Sequence, residues 1–173
     1  NRRDVTMDNP QATEAELGWL AGIIDGEGWL GVSLNTEYWY REGKNTRFYS
    51  IKVEIKIVNC DPEIVVKASQ IMRKLGVNPY IRQPKVELKV NHKVHYETAI
   101  KSMATVRRVL VPVRPYLVGT KAERADLILR FIELRKANPG IPNPAYGEGV
   151  KGRHGPGVIR PYTVEELELV EQC

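Results

Sequence analysis

Apolar positions recur at helical spacing over residues 14–25, with Leu17, Leu20 and Ile24 on one stripe. Thr13-x-x-Glu16 is the capping box that opens this helix. The period then changes to two. Residues 29–40 set Leu30, Val32 and Leu34 against Gly31, Ser33, Asn35 and Glu37. After a turn at Gly43-Lys44-Asn45, residues 47–58 set Val53, Ile55 and Ile57 against Lys52, Glu54 and Lys56, which predicts a hairpin. Asp61-Pro62-Glu63 supplies an N-cap, a first-turn proline and a first-turn acid for a helix that stops at Gly76. A second hairpin, about 80–90 and 93–101 with its turn at Asn91-His92, offers Val86, Leu88, Val90, Val94, Tyr96 and Ile100 on one face. Its other face offers Lys85, Glu87, Lys89, Lys93, His95 and Glu97.

A short helix near 105–111 ends at Pro112, and Thr120-x-x-Glu123 caps a longer one reaching Ala137. The order is αββαββα: an α+β fold with an antiparallel four-stranded sheet and helices on one face. Residues 1–137 read as one domain, and 138–173 as a Pro/Gly-rich basic arm with a short acidic helix capped by Thr163.

Two details do not fit a purely structural reading. The first helix carries small residues, Gly18, Ala21 and Gly22, which cost helix stability, about 1 kcal/mol for each glycine against alanine. A close helix–helix contact would repay that. At its end stands Asp25-Gly26-Glu27-Gly28, two acids where the helix dipole is negative and disfavours them. The glycines permit a sharp reversal. A carboxylate held in that field calls for a cation, and a hard divalent metal answers.

The nonapeptide LAGIIDGEG (20–28), with Leu75-Gly76 and the segment PYL…ADLILRF (115–131), resembles the single-motif branch of the LAGLIDADG homing endonucleases. The resemblance covers about residues 13–137. It implies a site-specific endonuclease that hydrolyses both strands of a long pseudo-palindromic duplex, leaving 3′ overhangs. One motif per chain implies a homodimer whose interface holds Gly18, Ala21, Gly22 and Asp25, the last with a mainly structural role at the turn. Glu27 would ligate the catalytic cation, Mg2+ or a substitute such as Mn2+ or Ca2+, with the Gly26 carbonyl as a second ligand. Asn59 at the end of the second strand matches the polar residue that orders the attacking water, and Lys101 near the end of the fourth matches the supporting lysine. Intron coding, in archaea often within rRNA genes, belongs to the same resemblance.

The sheet's polar face would then meet duplex DNA through Ser33, Asn35, Glu37, Lys52, Glu54, Lys56, Arg82, Lys85, Lys89, Lys93 and His95. Tyr38-Trp39-Tyr40 either packs on sugars or closes its loop. Lys151, Arg153, His154 and Arg160 either extend the phosphate contacts or belong to a flexible tail. Charge supports a polyanionic partner. The net charge is +5, but the last eleven residues hold four Glu and no Lys or Arg, so residues 1–162 carry 5 + 4 = +9. Two cysteines and no apolar run of membrane length suit an intracellular, cytoplasmic or nucleoid-associated protein with no membrane partner. The rival readings are an intron RNA maturase and a non-cleaving DNA-binding regulator, and the intact Glu27 speaks against the second.

Overall fold

The structure is a computed structural model and describes residues 11–41, 44–82, 94–138, 140–142, 158–159 and 161–173, with the backbone alone for 35–41, 44–49, 141–142 and 158–159. Helix α1 (Glu14–Glu27) begins where the capping box puts it. Glu16 N–H donates to Thr13 Oγ1 at 3.2 Å, and Thr13 N–H donates to the Glu16 carboxylate at 2.9 Å. The helix continues two residues beyond its apolar period, to Glu27, and stops because Gly28 is extended. A Cβ on residue 28 would lie 2.6 Å from Ile24 Cα, so only glycine lets the chain turn away this closely.

Strands β1 (Gly28–Arg41) and β2 (Lys44–Asn59) form the first hairpin, with Gly28 opposite Ile57 and Leu34 opposite Ile51. Helix α2 (Pro62–Lys74) is capped by Asp61, whose Oδ1 accepts from Glu63 N–H at 2.8 Å. It gives way at Gly76, where φ is +75°. Strands β3 (Tyr80–Arg82) and β4 (Tyr96–Ile100) complete an antiparallel sheet ordered β1-β2-β4-β3. The second hairpin's turn at Asn91-His92 lies outside the described residues.

One face of the sheet is apolar. Leu30, Ile51, Val53, Ile55, Ile57 and Ile100 pack there against Leu20 and Ile24 of α1, Ile71 and Met72 of α2, and the next two helices. These are α3 (Met103–Val113) and α4 (Gly119–Ala137), which contribute Val109, Leu110, Ile128 and Phe131. Pro112 does not end α3 as its sequence suggests. It sits inside the last turn, and the chain tightens into a 3-10 turn at Arg114–Tyr116.

The acidic helix α5 (Val164–Gln172) docks along α4. Arg130 bonds Glu165 at 2.9 Å, and the fully buried Glu166 accepts from Thr163 N–H at 2.7 Å and pairs with Arg135 at 3.4 Å. Arg135 stacks on Tyr162, whose hydroxyl accepts from Ile51 N–H of β2 at 2.8 Å. Two short strands, β5 (Ile141–Pro142) and β6 (Val158–Ile159), pair in the segment between α4 and α5. The arm's Lys151, Arg153, His154 and Arg160 lie outside the described residues. No helix among the described residues is long and apolar enough to cross a membrane.

Candidate active site

The two motif acids part company at the end of α1. Asp25 turns toward α4. Its Oδ2 accepts from the N–H of Val118, the N-cap residue of α4, at 3.2 Å. That helix takes no cap from its own side chains, so Thr120, the cap its sequence suggests, is replaced by a carboxylate 93 residues away. Asp25 thus sits at the negative end of one helix and the positive end of another, which offsets the unfavourable field. Its Oδ1 is buried without a hydrogen-bond partner.

Glu27 is exposed, and no described residue pairs with it. Gly28 N–H takes the Ile24 carbonyl. The later carbonyls, Gly26 among them, are the unsatisfied acceptors of a helix end. Glu27 Oε, the Gly26 carbonyl and the orphaned Asp25 Oδ1 are all hard oxygens. They fit a cation of the Mg2+ kind, which keeps several waters and completes its shell with phosphate oxygens. Among the described residues no three His, Cys, Asp or Glu gather, so an all-protein metal cage is not on offer.

A cation absent from the sequence reading approaches this corner. Lys121, in the first turn of α4, reaches the edge of the sheet and donates to the carbonyl of Gly28, the residue after Glu27. One turn on, Arg124 donates to Leu30 O at 3.3 Å, so the two cations cover the open edge of β1. Burial pushes the Lys121 ammonium below the usual lysine range, with Arg124 adding to the effect and Asp25 opposing it.

Lys101, expected beside the metal, is elsewhere. Ile100 pairs with Ile55, so Lys101 lies against Glu54, opposite Gly31 of β1. That is two strands over and three residues along from Gly28, roughly 14 Å at ordinary strand spacings. It bonds Glu54 at 3.1 Å and lies 4.9 Å over the Tyr80 ring, and Tyr80 donates to Glu97 at 2.5 Å. Burial, then Glu97, raises the Tyr80 hydroxyl, whose bond to Lys101 in turn raises the ammonium. Asn59 ends β2, two residues past the partner of Gly28. Its Oδ1 accepts from Asp61 N–H at 2.8 Å, which shapes the turn into α2 and leaves the amide Nδ2 as its donor end.

The outward face of the sheet carries the expected polar set. The register aligns Ser33 with Lys52, Gly31 with Glu54, Trp29 with Lys56 and Arg82 with Glu97. Lys52 and Arg82 are exposed, Ser33, Glu54 and Lys56 half-buried, and His95 is exposed with its Nδ1 3.4 Å from Cys60 Sγ. Asn35 and Glu37 share this parity on β1, but their side chains, with Tyr38-Trp39-Tyr40 and all of Lys85, Lys89 and Lys93, lie outside the described residues.

The exposed small-residue stripe of α1 does not include Ala21. Ala21 is fully buried in the protomer's own core and cannot face a partner. At 100° per residue it lies on the core side with Leu20 and Ile24, whereas Gly18, Gly22 and Gly26 follow one another at four-residue spacing. Gly22 and Gly26 are exposed with nothing within 4 Å of a built Cβ, and Gly18 is half-buried beside Tyr116.

Solved structures share this arrangement. The group I intron-encoded homing endonuclease I-CeuI, complexed with DNA, matches with a TM-score of 0.53 and 18% identity over 74% of this chain and 58% of that one. The homing endonuclease I-CvuI, in complex with the I-CreI target, matches with a TM-score of 0.51 and 21% identity over 69% of this chain and 66% of that one. The LAGLIDADG homing endonuclease I-LtrWI, bound to target DNA, gives 0.51 and 16% over 69% of this chain and 36% of that one. The chain therefore spans about two thirds or less of the length of each. No protein-family model and no curated protein matches it. The helix order, the β1-β2-β4-β3 sheet and these likenesses establish that the chain has the fold of the LAGLIDADG homing endonucleases.

Proposed function

We propose that this chain is a homing endonuclease. As a homodimer it hydrolyses both strands of a long pseudo-palindromic DNA duplex with a divalent cation, Mg2+ in the first place. The reading is carried by Glu27: an exposed acid in an unfavourable field, beside a stripe of bare glycines and at the corner of a sheet whose outward face is basic.

Two copies of α1 meeting along Gly18, Gly22 and Gly26 bring two copies of Glu27 to the dyad, because a two-fold interface is isologous. Glu27 and the Gly26 carbonyl would hold the cation, which would supply charge neutralisation at the phosphate and activation of water. Lys121, fixed by Gly28 O, presents positive charge to the phosphate in a partly desolvated place, where such charge is worth most. Asn59, with its oxygen committed to Asp61 N–H, offers Nδ2 to orient water. The two-fold axis asks for matching half-sites, and the outward faces lie along the major groove on either side. The enzyme works on genomic DNA inside the cell.

The experiment is cleavage of supercoiled and linear duplex libraries by purified protein with Mg2+, alongside Glu27→Gln. The wild type cuts and the variant binds without cutting. Equal cutting by both overturns the assignment.

A further inference from the structure

Trp29 stands two residues from Glu27 on the outward face, aligned with Lys56. It is 36% exposed, in a place where a sheet meeting DNA would be expected to offer a hydrogen-bonding side chain. The indole does not stand up from the sheet. A Cβ on Gly31 would lie 2.8 Å from Cζ2, 3.1 Å from Cη2 and 3.2 Å from Cε2, so the six-membered ring lies down over Gly31. Lys56 Nζ flanks it, 5.7 Å from the ring centroid. Positions 29 and 31 together form one apolar plate, and Gly31 is the residue that leaves room for it.

An apolar plate cannot read donors and acceptors. In the major groove the apolar feature that separates one base pair from the others is the C5-methyl of thymine. The faces of paired bases are covered by stacking, so only edges are available to the ring. We propose that Trp29 is a specificity-determining residue that selects thymine, through its C5-methyl, close to each cut. This rests on the endonuclease reading above. The plate spans residues 29 to 31, about 7 to 13 Å from Glu27 along the strand at ~3.3 Å per residue. At ~3.4 Å per base-pair step it covers the positions roughly two to four steps from the cleaved phosphate. Lys52 and Lys56, nearby on the same face, suit the phosphates that flank this contact.

The test is cleavage of a fully randomised duplex library by the full chain in Mg2+, with base preferences counted relative to the mapped cut. A buried methyl is worth about a fourfold preference. Wild type shows that enrichment of thymine within the two-to-four-step window, and Trp29→Ser loses it while keeping its preferences further out. Deoxyuridine in place of that thymine slows wild type by a similar factor and leaves Trp29→Ser unaffected. Gly31→Ala, which puts a methyl where the ring rests, weakens the same preference, so the test does not depend on one variant's folding. Thymine selection that survives in Trp29→Ser, or uracil cut as fast as thymine by wild type, overturns the inference. Absence of any cleavage by wild type overturns the endonuclease reading instead. The same enrichment and the same loss are then required among duplexes retained in Ca2+.

Discussion

Replacing Asp25 tests whether the first motif acid is a clasp between two helices. Its Oδ2 accepts from Val118 N–H at 3.2 Å, the sole side-chain cap that α4 receives among the described residues. A hydrogen bond to a charged group contributes about 1.5–3 kcal/mol when neither end can turn to water. The charge adds about 0.3–1 kcal/mol at the N-terminus of α4 and costs a similar amount at the C-terminus of α1, so these two nearly cancel. Val118 is exposed, and water can reach its freed N–H, which pulls the loss toward the lower bound. Losing the buried, unpartnered Oδ1 removes a small penalty as well. Asp25→Ala should therefore cost about 1–2 kcal/mol, and Asp25→Asn, which keeps an acceptor, less than about 1 kcal/mol. For a chain of this length, 2–4 °C per kcal/mol converts the alanine loss to a Tm drop of roughly 2–8 °C. Thermal denaturation followed by circular dichroism measures it, at fixed protein concentration because the Tm of any self-associating chain depends on it. An alanine variant melting within about a degree of wild type would show that α4 needs no clasp and that the pairing carries no energy.

Two further variants separate stability from function. Lys121→Met relieves the cost of holding a charge where burial disfavours it but leaves Gly28 O without its donor, so Tm should hold while cutting falls by about 100-fold or more. Because the folded-state value is depressed, wild-type cutting should decline on the alkaline side at a pH below the usual lysine range, and a profile flat through that range counts against the role. Gly22→Leu adds somewhat less than the ~1 kcal/mol of helix propensity that separates glycine from alanine, at a position with open space within the chain. The same bulk blocks close approach of a second α1, so light scattering should show weaker self-association, and dimers as strong as wild type would refute the packing.

The fold was readable because its information is local. Capping boxes at Thr13 and Thr163, the Asp61-Pro62 start and the alternation of β1 and β2 each occupy a few consecutive residues, and each forms as its pattern says. What was misread depends on partners distant in sequence. The cap of α4 comes from across the molecule, so Thr120 offered a convincing local substitute. Lys101 comes directly after the last residue of β4, close to where the pattern puts it, but its surroundings follow from a register that commits it to Glu54. Ala21 matches the glycines in size, but helical geometry separates it from them by more than half the width of the buried face. Gly26 looks like a turn residue from its neighbours in sequence but lies inside α1, as the last step of the glycine stripe.

One signal for Lys121 was present all along. A lysine in the first turn of a helix opposes the dipole, just as an acid in the last turn does. Two such misfits in one chain suggest that they answer each other, and α1 and α4 do meet there, the negative end of one against the positive end of the other. Asp25 has its field cancelled by the start of α4, and Lys121 finds Gly28 O. Glu27 receives neither kind of relief from the described residues. With respect to the described residues, an acid in that position is left to solvent, a metal ion or a second copy of the chain. The glycines beside it, bare at Gly22 and Gly26, give both of the latter room to approach.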